Sequence, residues 1–144
     1  MNKTGITDKV ISSYTDNFYC EKTGLFCDSP ALTHSSIHSN ILPLLFNIGG
    51  EERHGNIVEF IKQKRLSSMG VYVAYFTLAA LKLRGEYDLA KELIADPDCW
   101  LNMLREGGTT TFEAWGKHQK SNASLFHPWS TAPIIILARH ALPY

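Results

Sequence analysis

Residues 71–84 read VYVAYFTLAALKLR, and the apolar residues of this stretch fall on nearly every side of a helix. A helix of this kind is covered by neighbouring elements on several sides. Gly85 interrupts it, and a shorter helix follows to residue 95, with apolar positions on one face and charged positions on the others. The stretch 71–95 therefore predicts a hairpin of one inner and one outer helix.

A second helical hairpin is predicted at 34–65. Its first helix repeats apolar residues at intervals of three and four, namely Ile37, Ile41, Leu44, Leu45 and Ile48. Ser35 or Ser36 is a candidate N-cap, and Gly49-Gly50 should end the helix. The helical pattern resumes at Glu51. Because only a glycine pair joins the two helices, they must pack antiparallel.

The chain outside these hairpins predicts further helices and two loops. An amphipathic first helix should end near Tyr19, and a loop should follow from Glu21 to Pro30. A short helix around Trp100 should end at Gly107-Gly108. Residues 109–126 have no helical period and predict a long loop, a feature that is often functional in a helical domain.

Two prolines fall inside the predicted helices. Pro43 should kink the first helix of the 34–65 hairpin, because proline removes a hydrogen bond from a helix interior. A last helix should begin near Pro128 and continue to Leu142, with Pro133 as a kink near its start.

The predicted fold class is all-α, built from consecutive antiparallel helical hairpins. No segment shows the strict alternation of apolar and polar residues that is typical of a half-buried β-strand. We expect a single domain over residues 1–144, because a chain of this length with 44% hydrophobic residues can bury one sizeable core. Spacing alone leaves open whether the hairpins form a toroid or a helical solenoid.

Composition excludes several classes of partner. The 14 Lys and Arg residues balance the 14 Asp and Glu residues, so no basic stripe is available for a phosphate backbone and nucleic acid is not an expected partner. The longest apolar runs are too short or too interrupted to span a membrane. The N-terminal sequence MNKTGITDKV has no apolar stretch that would indicate a signal peptide. We therefore expect a soluble chain without membrane contact.

The three cysteines, Cys20, Cys27 and Cys99, are an odd number at irregular spacing. This pattern matches neither a disulfide framework nor a zinc site, so all three are predicted to be reduced thiols. His34 and His38 lack the glutamate and the third ligand of a zinc-protease helix. No glycine-flanked nucleophile elbow occurs either. We expect no metal, no cofactor and no nucleophilic triad.

The segment Gly107–Trp115 reads GGTTTFEAW and places one carboxylate between two aromatic residues. Such a setting can hold Glu113 partly desolvated and hydrogen-bonded, which is how a protein tunes a carboxylate as a base. Considered without any resemblance, this glutamate is more simply a surface residue at a helix end. Both interpretations stay open at this point.

A histidine and a tryptophan flank a proline at residues 127–129. The fixed φ of proline would hold His127 as a hydrogen-bond donor and Trp129 as an aromatic plate on either side of a rigid corner. Sugars stack an apolar face on an indole while their hydroxyls form directed hydrogen bonds, so this pair suits a carbohydrate. The same residues near a helix start also serve as core residues, and Trp115 has the same ambiguity.

Five segments, taken in order, resemble the C-terminal half of bacterial α-L-rhamnosidases, glycoside hydrolase family 78. The most specific are Thr109–Trp115, which is similar to the ATT-x-WE-x-W element of that family, and the His-Pro-Trp sequence at 127–129. The other matching segments are Gly24–Asp28, His34–Asn40 and Val71–Asp88. The resemblance covers nearly the whole chain.

This resemblance implies a partial six-hairpin (α/α)6 barrel and the inverting hydrolysis of terminal α-L-rhamnosides. Glu113 matches the carboxylate that activates water in that family. His127 would form a hydrogen bond with a hydroxyl of the rhamnoside substrate, and Trp115 and Trp129 would wall the pocket that holds the ring. An inverting glycosidase also needs a general acid about 6.5–9.5 Å from the base.

The chain departs from the family pattern in three ways. Nothing before Glu21 resembles the acidic segment that carries the general acid in the family. About six or seven helices are predicted, whereas six hairpins need twelve, so we expect a C-terminal portion of the barrel that is inactive by itself. Its exposed inner helices should be covered by self-association, with Val71–Leu83 at or near the contact. Phe112 stands where the family usually has tryptophan, which leaves the substrate open.

Two alternative functions stay open on the sequence. Another six-hairpin glycosidase, such as a glucoamylase-like or trehalase-like barrel, would also present a late carboxylate on its inner rim. A noncatalytic helical domain that acts as a scaffold or binds a carbohydrate is favoured by the missing acid. Fold alone does not decide between an enzyme and a binding domain.

Overall fold

The computed structural model describes residues 3–141 of the chain, with side chains from 5 to 138. Its α-helices are α1 Lys3–Phe18, α2 Ile37–Phe46, α3 His54–Lys64, α4 Val71–Leu83, α5 Tyr87–Ile94, α6 Trp100–Arg105 and α7 Ala132–Ala141. Two short strands, β1 Tyr19–Cys20 and β2 Leu25–Phe26, pair antiparallel. Short 3-10 turns lie at Glu51–Arg53, Leu66–Ser68 and Pro128–Ser130. The predicted all-α fold class is confirmed.

Helix α4 lies at the centre of the fold, as its sequence predicts. It contacts α2, α5, α7 and the 3-10 turn at 128–130. Its buried positions are Val71, Ala74, Thr77, Leu78, Ala80 and Leu81. These positions cover one half of the helix surface, which is wider than a single stripe, while Tyr72 and Leu83 on the other side stay exposed. The buried half packs against several elements, which explains why apolar residues dominate the sequence of α4.

Helices α2 and α3 form the predicted second hairpin, but α2 ends earlier than expected. Ser36 caps its start, where the hydroxyl oxygen accepts a hydrogen bond from the Ser39 amide at 3.2 Å. Asn47 adopts a left-handed conformation with φ of 57° and donates its amide to the Pro43 carbonyl. Asparagine tolerates this conformation, so the helix ends before Gly49-Gly50 and not at the glycine pair.

The strand pair β1–β2 was not expected from the sequence, which predicted a loop from Glu21 to Pro30. Each strand has only two residues, and alternation needs four or more residues to be recognisable. Asn40 of α2 is fully buried, and its side chain connects α2 to β2 by hydrogen bonds. Its Oδ1 accepts a hydrogen bond from the Phe26 amide at 2.8 Å, and its Nδ2 donates to the Phe26 carbonyl at 2.9 Å.

Replacing Asn40 with alanine should lower the free energy of unfolding by about 2–4 kcal/mol. The change leaves the buried Phe26 amide without its partner, which costs about 1–3 kcal/mol. It also removes one of the two hydrogen bonds that the Phe26 carbonyl accepts, the other coming from the Ser39 hydroxyl. Urea unfolding followed by circular dichroism measures the loss. Asn17→Ala is the control, because Asn17 makes an exposed bond to the Ser13 carbonyl within α1. Equal losses for the two variants would contradict this role of Asn40.

The last helix begins later than predicted. A 3-10 turn occupies Pro128–Ser130, and α7 begins at Ala132. Pro133 is therefore the second residue of α7, a position where the amide has no intrahelical partner to lose, so the proline need not kink the helix. The predicted end at Leu142 lies outside the described residues.

Apolar side chains remain exposed on several helices. On α2, α4 and α7 the most exposed include Leu42, Phe46, Leu83 and Ile134. A groove of about 580 Å³ lies between these three helices, lined among others by Phe76, Ala79, Leu83 and Ile135. Over residues 3–141, no helix combines the length and the apolar character needed to cross a membrane.

Candidate functional site

The loop between α6 and α7 is irregular, as predicted. Polar side chains in and directly after α6 form hydrogen bonds with its first half. Asn102 donates from Nδ2 to the Trp115 carbonyl at 2.9 Å. Glu106, just after α6, accepts the Lys117 amide at 2.6 Å, and this hydrogen bond is the main cause of the lowered pKa of Glu106. Within the loop, Gln119 accepts the Trp115 amide at 3.0 Å. A segment without secondary structure is thus fixed by side-chain hydrogen bonds.

Two aromatic residues fasten the loop to the core on either side of Glu113. Phe112 is buried, and its amide lies 3.4 Å from the Met103 sulfur. Trp115 is 3% exposed, packs edge-on against Trp100 with ring centroids 4.8 Å apart, and donates its indole N–H to the Met69 carbonyl at 2.6 Å. The side chains at 112 and 115 therefore lie in the core, whereas Glu113 keeps 28% of its side chain exposed.

The Glu113 carboxylate is held at both of its oxygens. Oε1 forms an ion pair with Lys120, and Oε2 accepts a hydrogen bond from the Ser124 amide at 2.9 Å. The hydrogen bond from Lys120 is the largest cause of a lowered pKa of Glu113, followed by the Ser124 amide. The carboxylate is therefore ionised at neutral pH, which is the protonation state that a base requires.

Hydrogen bonds between two stretches of the loop bring His127 towards Glu113. The Glu113 amide donates to the Ser124 carbonyl at 2.9 Å, and the His127 amide donates to the Thr111 carbonyl at 2.8 Å. The Thr111 hydroxyl in turn donates a hydrogen bond to the His127 carbonyl at 2.8 Å. His127 also contributes electrostatically to the lowered pKa of Glu113, after Lys120 and Ser124. The two candidate residues thus belong to one locally ordered unit.

Trp129 lies on the surface beside an aromatic residue of α4. Its side chain is 61% exposed, and its ring centroid is 4.9 Å from that of Tyr72, which is itself about half exposed. Tyr72 continues the aromatic surface to Phe76, at a centroid distance of 5.7 Å. The structure therefore brings Trp129 to an accessible aromatic surface and places Trp115 in the core.

An apolar cavity of about 490 Å³ lies next to the loop. Its walls come from the end of α5, from α6, from residues 108–111 and from the start of α7. Glu113, His127, Trp115 and Trp129 are not among its lining residues. The sugar pocket that the resemblance implies for these residues gains no support from this cavity, and the pocket-wall role of Trp115 stays a prediction.

The sequence did not indicate Lys120, Ser124 or Tyr72 as neighbours of the candidate residues. Lys120 and Ser124 follow Glu113 by seven and eleven positions in a loop, where no periodic pattern relates residues to one another. Tyr72 comes from α4, more than fifty positions before Trp129. Among the described residues, no group of three or more His, Cys, Asp or Glu side chains could hold a metal ion.

The helical fold fits the class of all-α glycosidases, and so does the ionised Glu113 carboxylate that Lys120 and Ser124 hold in a long ordered loop. The family model of the bacterial alpha-L-rhamnosidase 6 hairpin glycosidase domain matches residues 6–141. The chain therefore belongs to this family of six-hairpin glycosidase domains. No curated protein and no solved structure matches the chain.

Lys120→Met should raise the pKa of Glu113 towards its ordinary value, because it removes the largest cause of the lowering. A carboxyl group with a lowered pKa stays ionised as pH falls, until the folded-state pKa is reached, so its protonation should move to higher pH in the variant. Titration of the labelled Glu113 carboxyl carbon by NMR measures this shift. Lys62→Met, on the exposed side of α3, is the control. An unchanged titration would show that Lys120 does not hold the carboxylate in solution.

Proposed function

We propose that this domain is the C-terminal portion of an inverting α-L-rhamnosidase barrel and that Glu113 is its water-activating base. The observation that carries the proposal is an ionised carboxylate, held by Lys120 and Ser124, inside the range matched by the family model. The carbohydrate substrate is a terminal α-L-rhamnoside. Inversion requires one carboxylate to remove a proton from water and a second group to protonate the leaving oxygen.

Glu113 is suited to the first of these two roles. Its Oε2 is fixed by the Ser124 amide, which orients the carboxylate, while Oε1 is held by a lysine with 47% of its side chain exposed. Water or a sugar can displace such an exposed ammonium group at a modest energetic cost. Displacement of Lys120 also removes the main cause of the lowered pKa, so Glu113 becomes a stronger base as substrate enters.

His127 and Trp129 are proposed to bind the sugar. His127 lies at the start of the turn that carries Trp129. Its amide donates to the Thr111 carbonyl, and Ser124, three residues before it, accepts the Glu113 amide. The exposed indole of Trp129 offers a stacking face, and Tyr72 extends it. Trp115 contributes from the core, because its contacts with Trp100 and Met69 fix the loop that carries the base.

The general acid is proposed to come from another part of the barrel. Seven α-helices lie within residues 3–141, whereas six hairpins need twelve. Without an acid, a poor leaving group departs as an unprotonated alkoxide, and general acid catalysis is typically worth about 10²–10⁴-fold. The chain should therefore show negligible turnover of ordinary rhamnosides.

The test compares two aryl α-L-rhamnosides that differ in leaving group. Dinitrophenolate leaves without protonation, so dinitrophenyl α-L-rhamnoside should be hydrolysed slowly but above the buffer rate, whereas phenyl α-L-rhamnoside should not be hydrolysed. Equal turnover of both would place the acid within these 144 residues. Turnover of neither, together with binding of L-rhamnose, would favour a noncatalytic carbohydrate-binding domain.

Self-association is proposed to cover the exposed groove between α2, α4 and α7. Leu83 at the end of α4 is 66% exposed and lines this groove. Leu83→Lys should shift the chain from dimer to monomer in sedimentation velocity, because a charge in an apolar contact remains unpaired. Leu32→Lys, at an exposed loop position outside the groove, should leave the dimer intact. A monomeric parent chain at the same concentration would refute this proposal.

A further inference from the structure

The pairing of β1 and β2 places two of the three cysteines on one face of a hairpin. Tyr19 lies opposite Phe26, and Cys20 lies opposite Leu25. The Cys27 amide continues the pairing with a hydrogen bond to the Phe18 carbonyl at 2.8 Å. Side chains alternate between the two faces of a strand, so Cys20 and Cys27 project from the same face as diagonal neighbours.

The two thiols are neighbours across the hairpin. Hydrogen bonds from Thr23, first from its hydroxyl and then from its amide, lower the pKa of the half-exposed Cys20 thiol, and the Cys27 thiol adds a further hydrogen bond. Cys27 is buried, and its sulfur also accepts a contact from the Ser35 hydroxyl at 3.9 Å. A partly accessible thiol with a lowered pKa therefore lies beside a buried second thiol, which is the arrangement of an attacking and a resolving cysteine.

We propose that Cys20 and Cys27 form an oxidation site at which a peroxide converts the two thiols into an intramolecular disulfide. The Cys20 thiolate attacks a peroxide oxygen and becomes a sulfenic acid, and the second oxygen leaves as hydroxide, which is protonated to water. The Cys27 sulfur then attacks the sulfenic sulfur, the S–S bond forms, and the sulfenic oxygen leaves as water with the Cys27 proton. The peroxide gains the two electrons that the thiols lose.

Geometry is the main physical demand on this step. A disulfide needs Cα atoms no more than about 7 Å apart. Diagonal neighbours across an antiparallel pair are about 7–8 Å apart, so a flat ladder lies at the limit. The hydrogen bond from the Cys27 thiol that contributes to the lowered pKa of Cys20 indicates that this short hairpin brings the two side chains near each other. The disulfide would link the two strands across the turn at 21–24. It would thereby stabilise the hairpin, which Asn40 bonds to α2.

Cys99 provides an internal control in the same chain. It is fully buried, and burial raises its pKa to about 12, with Asp96 adding to the shift. A thiol in this state has almost no thiolate at neutral pH and no access to peroxide. Oxidation by peroxide should therefore spare Cys99 under conditions that oxidise the hairpin pair.

The experiment treats the reduced full chain with equimolar hydrogen peroxide. Thiols counted with Ellman's reagent in denaturant should fall from three to one, and the mass should fall by about 2 Da. Peptide mapping without reductant should give one bridge, Cys20 to Cys27. In Cys27→Ser, dimedone should label Cys20 as a trapped sulfenic acid, while Cys20→Ser should keep both remaining thiols. Three surviving thiols, a bridge that includes Cys99, or only bridges between chains would overturn the proposal.

Discussion

Trp115→Ala is expected to lower the free energy of unfolding by about 3–5 kcal/mol, the range for truncating a large buried aromatic residue. The indole packs edge-on against Trp100 and donates to the Met69 carbonyl, so truncation opens a cavity and leaves a buried carbonyl without its partner. Because Trp115 also holds the loop that carries Glu113, the variant should lose order there first. Urea unfolding and amide hydrogen exchange of residues 109–126 measure the two effects.

Trp129→Ala is the matched control for this loss of stability. It removes the same side chain from a surface position where 61% of the residue is exposed. A surface truncation of this kind should change the free energy of unfolding by less than about 1 kcal/mol. If the two variants unfold alike, then Trp115 does not anchor the loop as the structure indicates.

Glu113→Gln should reduce the turnover of dinitrophenyl α-L-rhamnoside by about 10²–10⁴-fold. Glutamine keeps the shape of the side chain and can still accept the Ser124 amide, but its amide group cannot remove a proton from water. The effect should lie in kcat, because the base acts in the transition state and contributes little to binding of the substrate. Initial rates measured against a buffer blank give the ratio.

Glu59→Gln serves as the control for this loss of activity. Glu59 is on α3 and bonds to Gln63 one helical turn later, so the change removes an exposed carboxylate away from the loop. Its turnover should equal that of the parent chain. A Glu113→Gln chain that is folded and equally active would exclude Glu113 as the base.

The helices were predictable because their signals are local and repeated. The apolar sequence of α4 predicted its central position. The helical spacing of apolar residues before and after Gly49-Gly50 predicted the α2–α3 hairpin. The wrong predictions concern places where a single residue or a contact between distant residues determines the local structure. Asn47 ends α2 by adopting a left-handed conformation, and two-residue strands are too short to leave a pattern in the sequence.

The sequence named candidate residues for the site but could not indicate their arrangement. The resemblance indicated Glu113, Trp115, His127 and Trp129 without showing which side chains face the core. The loop sequence has no repeating spacing of apolar residues from which burial could be predicted. Trp115 is buried because it contacts Trp100 and Met69, which are distant in the sequence. The run of threonines acquires a role only in the structure, where the Thr111 hydroxyl bonds to the His127 carbonyl.

The most direct test of Glu113 as a water-activating base is the configuration of the first sugar released. Proton NMR of dinitrophenyl α-L-rhamnoside hydrolysis, recorded before mutarotation, distinguishes the two anomers. A base that directs water to the opposite face of the ring gives β-L-rhamnose first, which is the result that we predict. Release of α-L-rhamnose first would mean that the carboxylate attacks the sugar itself, and it would contradict the proposed mechanism.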